Sequence, residues 1–480
     1  VMACGGGEES TAPPPRAGIQ IVAGANVTDS VDAILPQRLV IEVRDSAGRL
    51  VPAGTAVVFT GVPNGGGVGS VGALVFNRLI SSFFPAATDS TDQAGRVQTM
   101  VRLGPFAAPA IIVISVRSLN LTDIAHYTVV PGAASQVIVA PKDTVFFIGR
   151  TYTMRGTVAD RHANPRTEPV TWSTADSGIT ISTSGAVTAS VPGRYTIAAS
   201  SQNIRDTASL SAVPQGTLAV WNLDGSYVSA VDLDGSNLRK LAPVSDGGAN
   251  VSPHPSWIPG TDKIIYNTFD FDAGVYTLRI VDAAGVSIPF TPQLPPNVTH
   301  RIEPIPSPDG RWMFFSAADS VCSIHHYCIY RSALDGSAAQ LLGSVVNRGL
   351  GWRPAPSPDG TKVAFVTASS GGARILIYDI ATQTIGSLGA FGQNPRWSRV
   401  SSQIVFVRNG GGPLMLMNAD GTGQRVLTAL NTLFREEPMT WSPDGRWIVA
   451  RDTILNLVNV STGMLIPLTY SRGLQAPSWK

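Results

Sequence analysis

Four side chains of different chemistry stand at one phase of a repeat that fills residues 216–480: His254, Glu303, Arg353 and Asn394. Each lies three residues before a recurring anchor. At the fifth and sixth anchors the equivalent residues are Pro438, with Glu437 beside it, and Ala476. Imidazole, carboxylate, guanidinium and amide groups facing one another across a channel mouth would suit a polar ligand or a peptide terminus, and His254 with Glu303 would be the pair to carry any carbohydrate chemistry. The same groups would also serve to cap channel waters and satisfy loop backbone. The sequence holds no G-x-S-x-G elbow, H-E-x-x-H, phosphate loop or dinucleotide fingerprint, so no catalytic residue and no cofactor is assigned. Six histidines are too few and too dispersed to mark a metal site by spacing.

A second group sits in Cys322-Ser-Ile-His-His-Tyr-Cys328. In an oxidising compartment these two cysteines are expected to form a disulfide that staples a hairpin. Closing so short a loop stabilises by only roughly 2 kcal/mol. His325 and His326 do not make this a zinc site, since four ligands within seven residues cannot easily surround a metal.

The elements that would position the channel residues are strands following the anchors. The anchor reads W-S-P-D-G-R-W-I from Trp441, P-S-P-D-G-R-W-M from Pro306 and P-S-P-D-G-T-K-V from Pro356. Weaker copies begin at Trp257, Trp397 and Trp479. The six anchors lie 49, 50, 41, 44 and 38 residues apart, a period that marks propeller blades. Pro fixes φ, Asp bonds back to the backbone and Gly takes the positive φ, so each copy is a turn delivering an alternating apolar strand. About half a period later an apolar strand runs into a second Asp-type turn, as at Leu334-Asp335-Gly336 and Asn418-Ala419-Asp420-Gly421. The last anchor has no strands after it, and 216–241 has strands without an anchor. Together they make one blade, predicting a six-bladed ring closed by one C-terminal and three N-terminal strands, which leaves no free sheet edge. The tryptophans at four anchors are expected to pack between blades rather than form a sugar-binding belt.

The repeat resembles the TolB-type propellers, the WD-like repeats of the Pro-Asp type, over residues 216–480. Blades one, four and six depart from the full S-P-D-G turn. The resemblance implies an interaction platform of the periplasm or cell surface, or more rarely a peptidase gate or a lyase.

Ahead of the ring, residues 17–131 carry short alternating runs such as Leu39-Val40-Ile41-Glu42-Val43, separated by turns such as Asp45-Ser46-Ala47-Gly48, as in a β-sandwich. V-R-D-S-A-G-R-L-V-P-A-G-T-A-V-V-F and T-D-Q-A-G-R-V resemble invasin-type bacterial Ig-like modules, with a Gly- and Phe-rich insertion at 65–84. Residues 132–214, with Val170-Thr171-Trp172-Ser173 and Gly193-Arg194-Tyr195-Thr196-Ile197, resemble the second common bacterial Ig-like group. Trp172 is expected in that sandwich's core. The longest apolar run, 107–116, is too short to cross a bilayer.

Val1-Met2-Ala3-Cys4 resembles the end of a bacterial lipoprotein signal, which implies lipidation of Cys4. The sequence is expected to start inside that signal, with 1–16 as signal remnant and flexible tether. A net charge of +2 without a polybasic tract argues against nucleic acid and leaves the anchor as the expected membrane contact.

The sequence therefore predicts an all-β chain: two Ig-like β-sandwiches (17–131 and 132–214) and a six-bladed β-propeller (215–480). Its expected role is binding, not catalysis, in a lipid-anchored protein of the cell envelope, with an envelope protein, peptide or polysaccharide as partner. The alternatives are a polysaccharide-cleaving propeller, and an adhesive protein acting through its Ig-like domains.

Overall fold

A computed structural model describes residues 16–64, 71–222, 227–244, 253–319, 327–342, 352–367, 372–431 and 439–480. The expected residues Cys4, Cys322 and Glu437 lie outside these. The chain is all-β and forms two compact units. One comprises residues up to 140 with Arg155–Ser173 and Ala198–Thr207; the other comprises Pro141–Met154, Thr174–Ile197 and Ala208–Lys480. Among the described residues no helix is long and apolar enough to cross a membrane.

In the first unit a five-stranded sheet, ordered Val27–Ser30, Leu121–Val130, Pro109–Val116, Ala56–Gly61 and Ala86–Ser90, accompanies a three-stranded one of Gly18–Ala23, Leu39–Arg44 and Arg96–Thr99. Alternation decides what each strand buries. In Pro109–Val116 every second residue is fully buried, and Ile112 and Ile114 join Leu39, Ile41 and Phe59 in one core. That makes a sandwich. Part of the expected insertion builds a further small sheet, with Ala73–Asn77 between Ser82–Phe84 and Val101–Leu103. Trp172 departs from expectation: it is only partly buried, and it packs over Gly156, where a Cβ would meet its ring.

The second unit holds the propeller. Among the described residues six antiparallel sets of four strands follow one another, and the first five pair in simple sequence order from the innermost strand outwards. The sixth closes the ring as the sequence predicts: C-terminal strand Leu474–Trp479 pairs with Thr217–Asn222, which pairs with Tyr227–Asp232 and then Arg239–Pro243. Blades three and four are not separate sheets. The single strand Thr384–Trp397 is the outer strand of blade three and the inner strand of blade four, giving one seven-stranded sheet. Also in this unit, Val145, Phe147 and Val213 join the core of blades five and six with Trp447, Leu457 and Trp479.

The three full anchor turns share one hydrogen-bond pattern. Ser307, Ser357 and Ser442 each donate Oγ–H to the Asp two residues on, and each Oγ accepts the backbone N–H that starts the next strand, at 2.9, 3.0 and 2.9 Å. Gly310, Gly360 and Gly445 take the positive φ that ends the turn, at 69°, 67° and 70°.

Candidate functional site

The innermost strands bring the predicted residues to one axis by a shared irregularity. Glu303, Arg353 and Asn394 have positive φ, at 55°, 63° and 52°, and so does Ala476 at 48°. The ladder shifts register at the same places, between Ile302 and Ile305, Trp352 and Ala355, Gln393 and Arg396, and opposite Ala219 and Trp221. Each is a bulge that re-aims one side chain. Proline follows every one of them, and it also follows His254 and Glu437. Proline supplies no N–H, so the ladder is interrupted there at no cost in unmade hydrogen bonds. Left-handed backbone at a glutamate or an arginine costs roughly 1–3 kcal/mol, strain that clusters at functional sites.

Glu303 and Arg353 meet across blades two and three. The Arg353 backbone N–H donates to Glu303 Oε2 at 2.8 Å, its Nε donates to Oε1 at 3.3 Å, and Ser316 Oγ donates to Oε2 at 3.2 Å. Both side chains are 7% exposed. Arg353 also reaches Gln393 of blade four at 3.5 Å. Asn267 ties His254 to this group, because its Oδ1 accepts both the His254 N–H at 3.2 Å and the Glu303 N–H at 3.3 Å. His254 Nδ1 is buried and has no protein partner. Burial, opposed by the Glu303 carboxylate and assisted by Arg353 and Arg396, lowers the imidazole pKa to about 4, so the ring is neutral at physiological pH.

His254 and Glu303 border a cavity of about 150 Å³ that opens at the anchor-turn end and is bounded by Pro259, Pro308, Arg396 and Arg399. Arg396 is desolvated, which lowers its pKa to about 10, with Glu303 opposing and Arg353 assisting; it stays cationic. Burial also lowers that of Arg399. Trp257, Trp441 and Trp479 are buried at 7%, 3% and 2% exposure, and they bind blade to blade. Trp441 Nε1–H donates to the Arg396 carbonyl at 2.9 Å, the Trp257 N–H to Ser478 Oγ at 3.2 Å and the Trp479 N–H to Thr440 Oγ1 at 3.1 Å. Among the described residues no group of three or more His, Cys, Asp or Glu side chains is placed to hold a metal. Away from the channel, Cys328 on strand Tyr327–Ala333 is disulfide-bonded.

No known family model matches the chain, and no curated protein matches it. Among solved structures, TolB from Acinetobacter baumannii is similar at 17% identity and a TM-score of 0.43, over 65% of this chain and 82% of that one. A chain of a nidogen/laminin complex is similar at 12% identity and a TM-score of 0.43, over 55% of this chain and 98% of that one. An oligogalacturonate lyase in complex with manganese is similar at 16% identity and a TM-score of 0.34, over 53% of this chain and 72% of that one. The ring itself is established by the strand pairing of this chain.

Four residues of the site escape the repeat phase that points to the others: Asn267, Ser316, Arg396 and Arg399. Arg399 had a signal. In blade four Ser398-Arg399-Val400-Ser401 replaces Ser-Pro-Asp-Gly, so Arg399 stands where Pro308, Pro358 and Pro443 stand in the regular turns. The departure from the repeat marks the site. Ser398 Oγ still accepts backbone N–H bonds from Val400 and Ser401, at 3.4 and 3.2 Å, which holds the turn without Asp or Gly.

Proposed function

We propose that this chain is a cell-envelope binding protein whose propeller is an interaction platform for a protein or peptide. In this reading Cys4 carries a lipid anchor, residues up to 16 are a tether, and Ig-like sandwiches at 17–131 and 132–214 are the stalk that presents the head. The observation that carries it is the axial cavity. Its charged groups are fixed before any ligand arrives, by bulges and by hydrogen bonds that cross blades, and preorganised polar groups lower the cost of binding. The test is retention of envelope proteins from extract by the full chain, identified by mass spectrometry, beside Glu303→Ala and Arg353→Ala. A partner retained by the parent chain and lost by both variants supports the reading, and one retained by all three removes the channel from it. Intact mass of the native N-terminus tests the anchor, since an unmodified Cys4 would end that part.

One observation favours a polysaccharide-cleaving reading: a neutral imidazole, His254, close to a carboxylate and two guanidinium groups. A neutral imidazole can take up a proton. Cleavage of uronate polymers, lost in His254→Ala, would establish it.

A further inference from the structure

We infer that the anchor-turn mouth of the channel takes the free α-carboxylate end of a peptide, with Arg396 and Arg399 receiving the carboxylate. The inference rests on the reading of the propeller as an interaction platform. Both guanidinium groups border the same cavity, and neither has a carboxylate partner among the described residues, whereas Arg353 is held by Glu303. Arg396 spends one N–H on the Pro395 carbonyl at 2.9 Å and Arg399 one on the Trp479 carbonyl at 2.6 Å. A guanidinium carries five donors, so each retains donors for an incoming anion. Both guanidinium groups are partly buried and have lost hydration, a penalty that a bound carboxylate would offset for the donors left over.

Size and wall chemistry select the carrier of that carboxylate. A recess bounded by the turns and inner strands of the ring cannot take a folded surface but admits the end of a chain. The remaining wall sets apolar faces of Ile305, Pro306, Ala355 and Met439 beside polar groups of Ser256, Glu303 and Thr440. Its apolar faces receive an aliphatic or aromatic C-terminal side chain, and its polar groups can meet the last peptide units. A sugar would want exposed ring faces to stack on, and the indoles of Trp257, Trp441 and Trp479 are packed between blades, which leaves Trp397 as the partly exposed indole of the lining. Departure of blade four from the repeat put Arg399 in the wall at a place where the regular turns have proline, so the cationic lip belongs to one side of the ring only.

The probe is a library of N-terminally labelled hexapeptides with free C-termini, read by fluorescence anisotropy against the full chain, with amidated counterparts and oligogalacturonate alongside. We expect a subset ending in an apolar residue to bind, with affinity falling tenfold or more on amidation. Arg396→Gln and Arg399→Gln should lose as much, and Arg396→Lys should lose less. Amidation leaves the protein untouched, so a folding defect in a variant cannot imitate it. Equal binding of amidated and free peptides overturns the inference, as does binding of oligogalacturonate in place of peptides. If no probe binds while the full chain still retains an envelope protein through Glu303 and Arg353, the inference fails and the platform reading stands; if nothing is retained either, both fail.

Discussion

The backbone N–H of Arg353 ends on the carboxylate of Glu303, 2.8 Å away on the neighbouring blade, and both residues have positive φ. The carboxylate thus satisfies the main chain of the bulge that aims its own partner. Removing it leaves a guanidinium and a peptide N–H buried together. Glu303→Ala should destabilise the propeller by about 3–5 kcal/mol, and Glu303→Gln, which keeps one acceptor, by clearly less. Urea unfolding followed by tryptophan fluorescence measures both. A loss below that of an ordinary surface substitution would show that the pair does not hold the two blades.

His254 makes stability depend on pH in a known direction. Its folded pKa, about 4, lies below the unfolded reference of 6.5. Between these values the unfolded chain binds a proton that the folded chain does not, so stability rises with pH there. The contribution is fully present above about pH 6.5 and is lost as pH falls toward 4, by up to about 3 kcal/mol. Other groups titrate in this window, so the measurement is the difference between the parent and His254→Gln. The melting temperature of the variant should fall less between pH 7 and pH 4.5. Parallel curves would contradict the burial of this ring.

The anchor turns should be more sensitive at Ser than at Asp. Ser442 is 2% exposed, and its hydroxyl accepts the Trp447 N–H at 2.9 Å, whereas the Asp444 side chain is 54% exposed. Ser442→Ala leaves a buried N–H short of that partner, costing about 1–3 kcal/mol. Asp444→Ala exposes its former donors to water and should cost less. Equilibrium denaturation of the two variants ranks them, and the opposite order would refute this account of the turn.

Closure of the ring can be probed from both termini of the sheet that closes it. Trp479 is 2% exposed, and a Cβ on Gly216 would be driven into its indole. Trp479→Ala should cost about 3–5 kcal/mol by cavity formation, and Gly216→Ala about 1–3 kcal/mol by overpacking. The pair should be non-additive, because alanine at 216 no longer meets an indole once Trp479 is gone. A double-mutant cycle with no coupling would show that the two strands are not locked through this contact.

The blades were legible because turn chemistry is local: S-P-D-G forms the same Ser–Asp lattice wherever it occurs, and the period then counts the sheets. The split blade was legible from strands lacking an anchor and an anchor lacking strands. The union of blades three and four was not. Gly386, Gly389 and Gly392 punctuate Thr384–Trp397; Gly389 takes a positive φ of 64° within the strand, and Gly392 lies where a Cβ would strike the Phe406 ring and the Val407 carbonyl. These glycines permit a kink and a close approach, not a chain reversal. At the channel, repeat phase placed Glu303, Arg353 and Asn394 on the inner strands, but nothing in a periodic reading shows that the backbone turns left-handed there. Arg396 was hidden because it belongs to one blade alone, and Arg399 was marked only by the departure of its turn from the repeat, since a method that looks for what recurs passes over what does not.

That shared strand has a mechanical consequence. To admit a ligand larger than its resting aperture, a closed ring must part some of its blades. Between blades three and four this would require bending a continuous hydrogen-bonded ribbon, whereas between blades two and three it would break the Glu303–Arg353 pair but no backbone ladder. The channel would therefore widen unevenly, with the fused pair as a fixed jaw. Arg396 sits on that jaw, at the end of the strand that forms the weld, so one of the cavity's two cations is carried by the least yielding part of the rim.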